Sequence, residues 1–137
     1  MFSMKQVFYG PVLPIVGLLF HLTLAPANAA ETTDVFELLQ KALASGDEMV
    51  QSAQEDQLDP FRAQATDFSD RIKEAVNLVS PATDAGDQVR GHLQMALSEA
   101  GKAISSANDG QMDAAIDHAL NALSHAEEAN SLADTLR

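Results

Sequence analysis

The sequence contains no cysteine and no tryptophan. Without cysteine there can be no disulfide, no thiolate metal site, no haem attachment through C-x-x-C-H and no nucleophilic thiol. Aromatic residues are scarce as well. Tyr9, Phe2, Phe8 and Phe20 lie near the start, which leaves Phe36, Phe61 and Phe68 for the rest of the chain. That is little to stack on bases, sugars or a porphyrin. Positive charge is the third scarcity, with eight Lys and Arg against 20 Asp and Glu. So acidic a surface repels nucleic acid and anionic lipid and attracts cations and basic partners.

The first 29 residues differ in kind from the remainder. Lys5 gives a short positive start, and Val7 to Leu24 is apolar apart from His21 and Thr23. Ala27-Asn28-Ala29 then supplies an A-x-A cleavage site. Residues 1–29 therefore read as a secretory signal peptide, cut after Ala29, and the expected location is periplasmic or secreted. Pro11, Pro14 and Gly17 interrupt the apolar run and weigh against a permanent anchor, so no membrane attachment is expected after cleavage.

Residues 30–137 have the length of one small domain. They carry every acid and all Lys and Arg except Lys5, a formal charge of −13. Apolar residues recur at intervals of three and four throughout, the helical period. The spacing predicts helices over about 34–56, 60–79, 83–107 and 111–135. Asp34 with Glu37 resembles a capping box, and Asp59-Pro60 a helix start. Ser80-Pro81 stops the second helix, Ser80 or Thr83 can cap the third, and Asn108-Asp109-Gly110 marks a turn. The expected fold is all-α: an antiparallel up-down-up-down four-helix bundle after the signal peptide. Its core stripes would be Val35, Leu39, Ala42, Gly46, Met49, Ala53 in the first helix and Phe61, Ala65, Phe68, Ile72, Ala75, Val79 in the second. In the third they would be Val89, Leu93, Ala96, Leu97, Ala100, Ile104, Ala107, and in the fourth Met112, Ile116, Ala119, Leu123, Ala126, Ala133.

The third and fourth helices match each other at an offset of 26. His92-Leu93-Gln94-Met95-Ala96-Leu97-Ser98-Glu99 lies over His118-Ala119-Leu120-Asn121-Ala122-Leu123-Ser124-His125. The shared frame is H-x3-A-h-x-H, with h apolar. In the first helix Leu38 and Ser45 stand at the histidine positions, and in the second Arg71 and Leu78 do. This frame, with the wording AIDHALNALSHAEEA around it, resembles the small periplasmic metal-binding protein family of ammonia-oxidising bacteria. The resemblance covers the layout of residues 30–137, but in motif only about residues 91–129. It implies an exported, cysteine-free four-helix bundle that binds divalent metals, copper among them. The departure is large: of eight frame positions, only His92, His118 and His125 hold histidine.

Imidazole suits copper, nickel and zinc, and an acidic field would concentrate any of them. His118 and His125, seven residues apart, share a helix face but stand about 10.5 Å apart along its axis. That is too far to share one ion at about 2.0 Å. A site therefore needs the neighbouring helix. Antiparallel packing would bring His92 towards His125 and Glu99 towards His118, with Glu128 within reach of His125 at i+3. Both histidines of the fourth helix lie about 120° from its expected stripe, at the edge or in solvent.

These residues give His92, His118, His125, Glu99 and Glu128 as candidate ligands for a weakly held divalent ion. No haem is expected, since no histidine falls on a core stripe. No di-iron site is expected either, since Glu-x-x-His is absent. No catalytic constellation is present, so the expectation is a non-enzyme. The alternative is a structural or interaction module of the envelope that has lost metal binding. Expected partners are metal ions, a second copy of the chain or a basic envelope protein, and not nucleic acid.

Overall fold

The computed structural model describes the backbone of residues 27–136 and the side chains of residues 35–136. The expected signal peptide lies outside these residues, except that Ala27–Ala29 form the start of the first helix. Four helices follow in order: α1 Ala27–Gln54, α2 Leu58–Leu78, α3 Asp84–Asn108 and α4 Met112–Asp134. No strand occurs among the described residues. Neighbours pack in a closed ring, α1 on α2, α2 on α3, α3 on α4 and α4 on α1, which is a four-helix bundle.

The core is built from narrow stripes in which alanines alternate with larger apolar side chains, except in α4. In α1 it takes Val35, Leu39, Ala42, Met49 and Ala53, with Gly46 buried among them. In α2 it takes Phe61, Ala65, Phe68, Ile72, Ala75 and, just past the helix, Val79. In α3 it takes Val89, Leu93, Ala96, Ala100, Ala103 and Ala107. In α4 every core residue is alanine: Ala115, Ala119, Ala122, Ala126, Ala129 and Ala133. The largest fully buried side chains are Phe61, Phe68, Leu39, Met49, Ile72 and Leu93, whereas other large aliphatics of α3 and α4 flank the stripes. Leu97, Ile104, Met112, Ile116 and Leu123 are only partly buried. Of the expected stripe of α4, Ala119, Ala126 and Ala133 are buried, while Met112, Ile116 and Leu123 are only partly so and Ala115, Ala122 and Ala129 take their place. Alanine at the centre lets helices approach closely while the larger side chains close the edges.

Gly46 serves that close approach. A Cβ there would stand 2.7 Å from Leu123 Cδ1 and 3.2 Å from the Phe68 ring. Beside it, Ser45 is buried; its hydroxyl donates to Asp67 on α2 and is also within reach of the Lys41 carbonyl at 3.2 Å. Asp67 takes a further bond of 2.8 Å from Arg71 Nε. Arg71, then Ser45, hold the Asp67 carboxyl below its ordinary range, and Asp67 raises Arg71 in return.

The ends of the helices differ from expectation in two places. α1 begins at Ala27, upstream of the expected cap Asp34, because no glycine or proline interrupts residues 27–34. α2 begins at Leu58 with Gln57 as N-cap, so Asp59 and Pro60 sit inside the first turn. Proline is tolerated there because a first-turn N–H has no helical partner to lose, and Asp59 complements the helix dipole. Thr83 caps α3, its Oγ1 accepting from the Gly86 N–H at 3.0 Å. The carboxyl end of α2 is satisfied from α3: Arg90 Nη1 donates to the Val76 and Val79 carbonyls at 2.7 and 3.0 Å. No described helix is long and apolar enough to cross a membrane.

Candidate functional site

α3 and α4 form the closest helix pair with α1 and α2, and their shared seam carries all three histidines of the described residues. The alanine-centred stripe of α4 rotates His118 and His125 towards α3. They are half-buried at this seam, not solvated at its outer edge; the His118 side chain is 31% exposed. The large residues Ile116 and Leu123, by contrast, fall on the other flank of α4, where Leu123 reaches Gly46 of α1.

Two pairs stand along the seam. At the first, the rings of His92 and His125 face each other with centroids 5.8 Å apart and planes inclined by 42°. His92 Nδ1 is buried and has no hydrogen-bond partner, alone in this among the side-chain nitrogens and oxygens of the described residues. An orphaned buried acceptor or donor costs about 1–3 kcal/mol, so something that satisfies it is favoured. Two imidazoles that share one ion at about 2.0 Å from each bound nitrogen have centroids roughly 5 to 6.5 Å apart. The observed separation lies inside that interval.

At the second pair, His118 Nδ1 and Glu99 Oε2 are 2.6 Å apart. The other oxygen of Glu99 takes a 2.6 Å bond from Lys102 Nζ. Lys102, then His118, hold the Glu99 carboxyl below its ordinary range, and it is therefore ionised at neutral pH. An ionised carboxylate only accepts, so Nδ1 carries a proton and donates; in the neutral imidazole Nε2 is then the nitrogen with a lone pair. Carboxylates commonly orient metal-binding histidines in this way.

His92, expected near the height of His125 or beyond, lies beside His125, and Glu99, expected between the heights of His118 and His125, lies beside His118. Glu99 has two partners already, so its oxygens are engaged with Lys102 and His118. Glu128 is exposed on α4. Among the described residues no group of three or more His, Asp or Glu stands together as a metal cluster would. What the sequence did not disclose was the buried, unpartnered nitrogen of His92, since the direction of an imidazole depends on packing. Lys102 could have been found from its i+3 spacing to Glu99. Compared with known proteins, the chain matches no family model, no curated protein and no solved structure.

Proposed function

We propose that this chain is an exported, non-enzymatic bundle of up-down-up-down topology that binds divalent cations of the copper, nickel or zinc class weakly. His92 and His125 are the primary donors. His118, oriented by Glu99, is a second and weaker one a little over 10 Å along the seam. The observation that carries this reading is the pair of neighbouring imidazoles, one of which, His92, has a buried Nδ1 without a partner. The acidic surface supports it by raising the local concentration of cations. Two protein donors leave the remaining coordination positions to water or to Glu128, which places the affinity low.

Calorimetric titration with copper(II) and nickel(II) tests this. Saturable heat that disappears in His92→Ala/His125→Ala supports it; equal heat in both proteins contradicts it. A second reading is favoured by the lack of a three-ligand group among the described residues. It is a histidine-poor interaction module that holds a basic envelope protein or a second copy of itself. Sedimentation that shows a stable dimer indifferent to metal would favour that reading.

A further inference from the structure

The two interhelical turns α1–α2 and α3–α4 are the same turn, 54 residues apart. Asp56 takes a φ of 56° in the first and Gly110 a φ of 74° in the second. In the first turn, the N–H groups of Glu55, Asp56 and Gln57 donate to Gln51, Ala53 and Ser52. In the second, Asp109, Gly110 and Gln111 donate to Ser105, Ala107 and Ser106, each shifted by the same 54. Gln57 and Gln111 are the N-caps that follow, both at φ −97°.

The offset runs out along both arms without a gap. Val35, Leu39, Ala42, Gly46, Met49 and Ala53 of α1 fall on Val89, Leu93, Ala96, Ala100, Ala103 and Ala107 of α3, all buried, while buried Ser45 and Val50 fall on the half-buried Glu99 and Ile104. Phe61 to Val79 of α2 fall on Ala115 to Ala133 of α4. A shared turn and a shared period would account for coinciding cores. They would not account for exposed polar identities. Gln40, Asp59 and Glu74 recur as Gln94, Asp113 and Glu128, all exposed, where no core dictates the residue. Nothing in packing requires these to agree.

We infer that α1–α2 and α3–α4 are two tandem copies of one helical hairpin, and that the His92/His125 seat has an equivalent at Leu38 and Arg71. The inference about binding at that seat rests on the proposed function; the equivalence of the hairpins does not. Leu38 and Arg71 are half-buried, as His92 and His125 are. In the first hairpin the seat has become structural. Arg71 is tied to Asp67, which also holds Ser45, and Ser45 stands where the second hairpin has Glu99. The ligand class is unchanged: a divalent ion that takes imidazole nitrogen. One such seat is open in the chain because only the second hairpin keeps both imidazoles.

Two measurements on the full chain decide this. The absence of cysteine lets spin labels be placed at 38/71 and at 92/125 through introduced thiols. The two label distances should agree to within one helical turn, about 5.4 Å, whereas 38/64 should be longer than 38/71. A disagreement larger than one turn, or 38/64 shorter than 38/71, overturns the duplication. Titration with nickel(II) should then give one more bound ion for Leu38→His/Arg71→His than for the parent chain. The extra ion should persist when His92→Ala/His125→Ala is added. A count equal to the parent's overturns the equivalent seat. A parent chain that binds no nickel(II) removes the functional reading, while the label distances still decide the duplication.

Discussion

Glu99 and His118 share one hydrogen bond of 2.6 Å between α3 and α4, and that bond sets which nitrogen of His118 faces the carboxylate. With Nδ1 donating to the carboxylate, Nε2 of the neutral ring is the atom left to bind a metal. The same seam seats His92 opposite His125 two turns away. Each of the following expectations concerns this seam or the packing that holds it in place.

Glu99→Gln removes the charge that orients His118 but leaves the shape nearly unchanged. The weaker of two binding steps for copper(II) should fall by roughly 10- to 100-fold, the usual effect of losing such a support. The stronger step, at His92 and His125, should change little. Calorimetry that resolves both steps checks this. Equal loss in both would mean that the pairs do not act separately.

Metal binding should weaken as the pH falls, because protons compete with the metal for imidazole nitrogen. Repeating the nickel(II) titration at several pH values with constant ionic strength reads the effect. An affinity that follows only the carboxylate range would move the site from the histidines to the acidic surface.

Gly46 and Gly101 should respond in opposite directions to added volume. Gly46→Val sets side-chain atoms against Leu123 and the Phe68 ring, and overpacking of this kind costs about 1–3 kcal/mol. A Cβ at Gly101 meets nothing within 4 Å, so Gly101→Ala should add about 0.5–1 kcal/mol through helix propensity. Urea denaturation measures both. At the start of α3, Gly86→Ala would bring its Cβ to 2.1 Å from the Ser80 carbonyl oxygen and should be worse than loss of the Thr83 cap, itself about 1 kcal/mol.

The Asp67 carboxyl is held below its ordinary value first by Arg71 and then by Ser45. A carboxyl depressed in the folded state adds stability above its unfolded pKa, about 3.9, and that contribution is lost as the pH falls through the folded value. Asp67→Asn should therefore lower stability at neutral pH and flatten the decline below about pH 4. The contribution is modest, because Asp67 is partly exposed and water screens the pair. Urea midpoints of both proteins across that range would show the curves converging in acid.

Most of the fold was legible because the helices of this chain are punctuated by ordinary means. Phe61 to Val79 kept its period without interruption, and Pro81 and Gly110 marked ends that the structure has close by. The axis of α4 was not legible in the same way. Met112, Ile116 and Leu123 are its largest apolar residues, and size drew the expected stripe towards them. Close packing instead favours the alanines, and that preference belongs to the neighbouring helices, not to α4 itself. The site was less affected, since His118 and His125 were expected at the edge of the stripe or in solvent, and they lie half-buried at that edge. The neighbours within the seam could still be anticipated in outline from the turn expected at Asn108-Asp109-Gly110. The direction of each imidazole could not, since it is set by side chains remote in sequence. The correspondence of whole hairpins was obscured as well: helix-by-helix comparison finds the offset of 26 between His92 and His118, while the longer offset shows only when both arms and their turn are laid together.

The central claim is that His92 and His125 hold one divalent ion between them. Long-range proton–nitrogen spectra of the imidazole groups during zinc(II) addition test it most directly. The resonances of His92 and His125 should move together and saturate at one ion per chain, with His118 following only at higher zinc(II). Movement of His118 alone, or of none of the three, would contradict the account.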